Sequence, residues 1–260
     1  MSITIAHGPL SSTPPATVNY ALDGPTNKIL FSLFPRRVRA VFADQVVVDT
    51  EAGMLLHESG LLPALYVPVD DVQTDLLTKT EHSTHCPYKG DASYWSITVG
   101  DRTAENAAWG YERPIENAGF IEGYLALYWG LVDHWFDEDE EVFGHLRDPY
   151  HRVDIRPRSR TVTVAIDGVT VAETAEALVL SETGMPNRYY IPEDDVNTSL
   201  FEGSDTVTHC PYKGTTTYHS LLVSDDATDV AWTYPEPFDG AMRIAGHWSF
   251  DGETVEIIDH

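Results

Sequence analysis

A chain of 260 residues with 41 acidic and 16 basic side chains carries a formal charge of −25, a field that repels phosphate backbones and argues against a nucleic-acid partner. Hydrophobic residues make up 42%, enough for folded cores. No apolar run is long enough to span a bilayer and no basic-then-apolar leader opens the chain, so a cytoplasmic protein that avoids membranes is expected.

Residues 1–32, with Gly8-Pro9, Ser11-Ser12 and Thr13-Pro14-Pro15, read as an extended arm lying on the first domain, with Tyr20, Leu22, Ile29, Leu30 and Phe31 as anchors. A first domain over 33–146 opens with the alternation Arg37-Val38-Arg39-Ala40-Val41-Phe42, the pattern of a half-buried strand that turns into Val46-Val47-Val48. An apolar strand then ends at Glu58, before Gly60. Tyr66-Val67-Pro68 follows, and Asp70-Asp71-Val72 reads as a turn capping a short helical segment. Next comes Thr84-His85-Cys86-Pro87-Tyr88-Lys89-Gly90, and then a strand containing Trp109 with Tyr111 on the same face. Acidic Asp137 to Glu141 is most simply a solvated turn.

Residues 147–157 read as a linker, and 158–260 repeat the first domain. Thr161 to Ile166, Asp167-Gly168 and Val169 to Val171 form a hairpin signal. Glu182, Tyr190-Ile191-Pro192 and Asp194-Asp195-Val196 match Glu58, Tyr66-Val67-Pro68 and Asp70-Asp71-Val72. The seven residues Thr208-His209-Cys210-Pro211-Tyr212-Lys213-Gly214 repeat 84–90 without change, and Trp232 matches Trp109. Both cysteines and two of the four lysines lie in these copies. Short strands, many turns and little helical periodicity predict a mostly β fold, two tandem domains of antiparallel sheets with few short helices.

The pattern Glu182-Thr183-Gly184, Arg188-Tyr189-Tyr190-Ile191-Pro192, Asp195-Val196, Thr208 to Gly214, Tyr218 and Ala231-Trp232-Thr233-Tyr234-Pro235 resembles the DUF427 family, a domain of unknown function. The resemblance covers about residues 33–260 in two copies. It implies a β-tent-like fold, in which two antiparallel sheets meet at an angle. Many β-tent relatives hold zinc through paired Cys-x-x-Cys motifs. This chain has none, so no metal and no cofactor are expected.

The repeated loop leaves three readings open. A thiolate is favoured by a nearby ammonium, so Cys210 with Lys213 and Glu182, echoed by Cys86 with Lys89 and Glu58, would suit an enzyme acting on a small polar or anionic metabolite. Alternatively, the loop borders a non-catalytic small-molecule pocket. Its ligand-binding candidates are Arg188, Tyr190, Asp195, Tyr212 and Trp232, with Tyr66, Asp71, Tyr88 and Trp109 in the first copy. Third, a Lys–Glu pair and buried thiols serve only to hold the loop to the sheet. His85 and His209 have no second ligand at metal-binding spacing. Arg188 corresponds to Ala64, so only the second copy can clamp a ligand by arginine, and that half is expected to be the working one.

Overall fold

In a computed structural model, every residue is described except 1, 2, 6, 14–16, 18, 20–23 and 225. Tyr20, Leu22 and Pro14-Pro15 of the arm therefore lie outside the described residues. The chain divides into two compact units, Met1–Tyr150 and His151–His260.

The first unit is a seven-stranded antiparallel sheet and a four-stranded one. The spatial order of the larger sheet is β1 (Ile29–Leu33), β4 (Met54–Glu58), β5 (Ala64–Pro68), β9 (Tyr124–Leu127), β8 (Arg102–Gly110), β7 (Gly90–Val99) and β6 (Leu77–Cys86). The smaller runs β11 (Glu140–Val142), β10 (His134–Asp137), β2 (Val38–Phe42) and β3 (Gln45–Thr50). In β2 the alternation does what it predicts, burying Val38, Ala40 and Phe42. Its turn into β3 places Ala43 and Asp44 at φ 48 and 61, the left-handed pair of a two-residue hairpin.

Because neighbours on a strand point to opposite faces, the larger sheet serves two clusters. Leu55, Leu65, Val67 and Leu125 pack with Val38, Ala40, Phe42 and Val48 in the main core. On the other face Leu56, Tyr66, Tyr94 and Tyr111 form an aromatic cluster with Trp109 and Cys86 against it.

The second unit repeats the seven-stranded order and, among the described residues, has a three-stranded smaller sheet without a counterpart of β11. Its larger sheet runs β12 (Val153–Pro157), β15 (Leu178–Glu182), β16 (Arg188–Pro192), β20 (His247–Phe250), β19 (Ala231–Thr233), β18 (Gly214–Leu221) and β17 (Phe201–Cys210). The smaller is β14 (Val169–Thr174), β13 (Val162–Ile166) and β21 (Val255–Asp259). Asp167-Gly168 makes the expected hairpin turn, at φ 49 and 76. The second aromatic cluster holds Leu180, Tyr190 and Tyr234, with Cys210 and Trp232 against it.

Two boundaries differ from the sequence expectation. β1 begins inside the stretch read as an arm, and β12 lies in the stretch read as a linker. Each pairs with the strand that carries the glutamate, Ile29 opposite Glu58 and Val153 opposite Glu182, and so closes an edge of the sheet. Nearer the start, the arm does meet the first unit: Gly60 N–H donates to Thr4 O at 2.8 Å and the Ser59 hydroxyl to Leu10 O at 2.6 Å. Short 3-10 turns follow Pro68 and Pro192, but no aspartate caps them. Asp71 instead accepts from Thr50 at 2.6 Å and Asp195 from Thr174 at 2.5 Å, which ties each turn to the smaller sheet. Among the described residues, no helix is long and apolar enough to cross a membrane.

Candidate functional site

The repeated heptapeptide is the turn of the β6–β7 and β17–β18 hairpins. Cys86 pairs with Gly90 and Cys210 with Gly214, leaving Pro-Tyr-Lys as a three-residue connection. Lys89 N–H donates to Cys86 O at 3.2 Å, and the equivalent bond from Lys213 is 3.3 Å. Proline presets the first turn residue, and Gly90 and Gly214, at φ +103 and +116, take a conformation that side chains rarely allow. The carbonyls of Lys89 and Lys213 then accept from Ile115 and Phe238 at 3.0 and 3.1 Å, which docks the segment after the third hairpin strand.

Each lysine turns its ammonium inward, and only 8% of Lys89 and 7% of Lys213 is exposed. Lys89 donates to Glu58, whose other oxygen accepts from Asn27 Nδ2 at 2.6 Å. Lys213 donates to Glu182 at 2.6 Å, and Glu182 also bonds His151 Nε2 at 3.0 Å. The His151 ring packs on Tyr212, 4.1 Å between centroids. Burial alone would push the Glu182 carboxyl up, but hydrogen bonds and charge from His151 and Lys213 outweigh it and bring it down to about 2. The lysines thus staple each turn to the strand that ends in glutamate.

The cysteines are free and half-buried, against the aromatic clusters. Asp71 and Asp195 are held by threonines, as above. Tyr88 and Tyr212 are half-buried in their turns, Tyr212 against His151. The remaining candidates of the second copy converge on one place, while Tyr66 and Trp109 lie in the first unit's aromatic cluster. A cleft of about 650 Å³ in the second unit is lined by Glu182, Lys213, Arg188, Tyr190 and Trp232, together with Tyr218, Tyr234, Asp229, Asp251 and Glu253. Cys210, Tyr212 and Asp195 do not line it. Arg188 lies with its guanidinium 5.1 Å from the Trp232 ring centroid and donates to Asp251 at 2.9 Å. The Tyr218 and Thr208 hydroxyls share a hydrogen bond of 3.0 Å. Tyr190 is 1% exposed and its hydroxyl has no hydrogen-bond partner; Trp232 approaches without reaching hydrogen-bond geometry. Burial raises the pKa of Tyr190 and Tyr234, so both remain phenols.

The first unit keeps the walls of this cleft but sets an aromatic ring at its mouth. Pro68 pairs with Tyr124 and Pro192 with His247, a register that sets Tyr128 where the second unit has Asp251. The Tyr128 ring lies on Trp109, 4.4 Å between centroids, on the residue that matches Trp232. Beside it is an apolar pocket of about 200 Å³. Sequence reasoning missed Asp229, Tyr234, Asp251 and Tyr128. The signal was present only for Tyr234, in the aligned Ala-Trp-x-Tyr strand. Among the described residues no group of three or more His, Cys, Asp or Glu side chains is placed to hold a metal ion.

Two units of one topology, each with a stapled hairpin over an aromatic cluster, define a tandem all-β protein. The chain belongs to the DUF427 family: the model of this domain of unknown function matches residues 31–138 and again 154–260. No curated protein matches the chain at a significant level.

Proposed function

We propose that this protein is a small-molecule-binding module whose ligand occupies the second-unit cleft over Tyr190, Trp232 and Tyr234. The observation that carries the reading is the exchange at the cleft mouth. The second unit has Arg188 and Asp251 beside about 650 Å³ of open cleft, where the first unit has Ala64 and Tyr128, whose ring lies tilted against Trp109. Aromatic walls with a few convergent polar groups are the usual make-up of a ligand site. Binding is favoured over cysteine chemistry because Cys210 stays outside the lining, while the Lys213 ammonium is engaged by Glu182.

The test is a fragment-library screen by NMR on the whole chain, with three variants. Binding that persists in Cys210→Ser but disappears in Trp232→Ala supports the reading. The double variant Arg188→Ala/Asp251→Tyr, which copies the first unit's side chains, guards against a Trp232→Ala protein that fails to fold. It should fold and lose the same fragments. Fragments that still bind this filled variant at the same resonances, or that bind only when Cys210 is intact, refute the proposal.

A further inference from the structure

The charges that face the cleft do not balance. Glu182, Asp229, Asp251 and Glu253 oppose only Arg188 and Lys213. Lys213 is paired with Glu182 and Arg188 with Asp251, and among the described residues Asp229 and Glu253 form no ion pair. Asp229 is set in place at φ 53, its N–H held by Ser220 at 3.0 Å and its Oδ2 by Thr206 at 2.6 Å, while its buried Oδ1 accepts from nothing. The wall already shows an affinity for positive charge, since the Arg188 guanidinium lies over Trp232. The buried Tyr190 hydroxyl, without a partner, is a second polar group awaiting one. An unpaired buried donor of this kind is costly unless something satisfies it.

We infer that the ligand of this cleft is a compact organic cation carrying a hydrogen-bond acceptor, its charge set between Asp229, Glu253 and the Trp232 wall and its acceptor toward the Tyr190 hydroxyl. This inference rests on the binding function proposed above and names its ligand class. It departs from the anionic side of the small polar or anionic metabolite expected from the sequence, because both cations that would clamp an anion are already taken by carboxylates. The overall charge of −25 acts in the same direction, drawing cations toward the surface.

Three probes of nearly one shape separate charge from fit. Choline is the cation, tert-butylethanol its uncharged carbon isostere, and tert-butylacetate an anion of similar bulk. Each is titrated into the full chain and followed at the Trp232 indole N–H, assigned with Trp232→Phe. Choline should bind roughly tenfold more tightly than the alcohol, the order expected of a desolvated cation on an indole wall. Its affinity should fall as salt is raised. Asp229→Asn/Glu253→Gln should lose several-fold of choline affinity and none for the alcohol. The asparagine is well tolerated at that position, since the first unit has Asn106 there at φ 52. Equal binding of the alcohol or of tert-butylacetate at Trp232 overturns the cation inference and leaves the binding function standing. Unchanged choline affinity in the double variant overturns the role given to the two carboxylates. Absence of all three probes from the cleft overturns the inference as well, and the fragment screen then decides the binding function separately.

Discussion

Lowering the pH tests the staple of the second unit. Glu182 ordinarily ionises near 4.5 and is brought to about 2 in the folded chain by His151 and Lys213, against the opposing effect of burial. A shift of this size corresponds to about 3 kcal/mol of linked stability at full value, and to about 2–3 kcal/mol after allowance for a side chain that water partly reaches. The folded carboxyl is the more acidic, so the contribution is fully present above the unfolded value near 4.5. It is lost progressively as pH falls from about 5 toward 2. Urea unfolding followed at resonances of residues 151–260 measures the stability of this unit across that range. Asp259, paired with Arg158, is also lowered in the same unit. Its effect is common to wild type and Glu182→Gln and cancels in the difference. Wild type should lose about 2–3 kcal/mol more than Glu182→Gln between pH 5 and 2. Equal losses in the two proteins would show that the pair is not a buried, stabilising contact and would refute the staple.

The other consequences concern the turns, the first-unit histidine and the cleft. Gly214→Ala should destabilise the second unit by roughly 1–3 kcal/mol, and more than Gly90→Ala destabilises the first. Both positions have positive φ, but the new Cβ meets Glu236 O at 3.0 Å in one and nothing nearer than 3.4 Å in the other. Equal effects in thermal unfolding would count against the crowding. Breaking the pair with Lys213→Met should cost about 3–5 kcal/mol by leaving a buried carboxylate short of a partner, and Glu182→Gln/Lys213→Met should recover part of that loss in the same urea assay. His57 is wholly buried, and desolvation lowers its pKa more than Asp148 restores it. The folded state therefore binds fewer protons than the unfolded one, and first-unit stability should fall as pH drops below about 6.5, the ordinary histidine value. His57→Gln should flatten that limb; an unchanged slope excludes it. Ala64→Arg/Tyr128→Asp should open the first-unit cleft and give Trp109 the fragment binding expected at Trp232; silence at Trp109 would mean that the mouth residues do not control access.

Much of the fold was legible because its signals are local. Seven identical residues mark the two hairpin turns, Asp167-Gly168 supplies a left-handed turn, and the alternation in Val38 to Phe42 reads directly as a strand. The edge strands were hidden for a physical reason. Ile29 to Leu33 carries no period-two alternation, Val153 to Arg156 alternates over only four residues before a proline, and both extend along the edge that the strands ending in Glu58 and Glu182 offer. The role of Lys89 and Lys213 was equally hidden. A cysteine and a lysine three residues apart look the same in sequence whether the ammonium activates the thiol or turns away from it. Direction decides between these, and here the ammonium faces a glutamate from a distant strand. Tyr128 and Asp251 escaped notice because they lie past the point at which the copies stop resembling one another.

That pattern of likeness and difference between the copies separates structure from function. Glu58 and Glu182, Lys89 and Lys213, Tyr66 and Tyr190, Trp109 and Trp232, and Tyr111 and Tyr234 are the same in both. All of them hold the turn or build the wall of the aromatic cluster, tasks each unit needs in order to fold. Among the cleft-lining positions that differ are Ala64 against Arg188, Asn106 against Asp229 and Tyr128 against Asp251. None of these is needed to pair a strand, since the first unit keeps the same topology without the second unit's choices. All three of the second unit's residues line the cleft, and each adds a charge where the first unit has none. A folding requirement shared by the copies would act on both alike, and these three charges occur in one copy only. On the binding function proposed above, recognition would act through the charges at the second unit's mouth, while the Cys-Pro-Tyr-Lys-Gly turn common to both copies serves the fold.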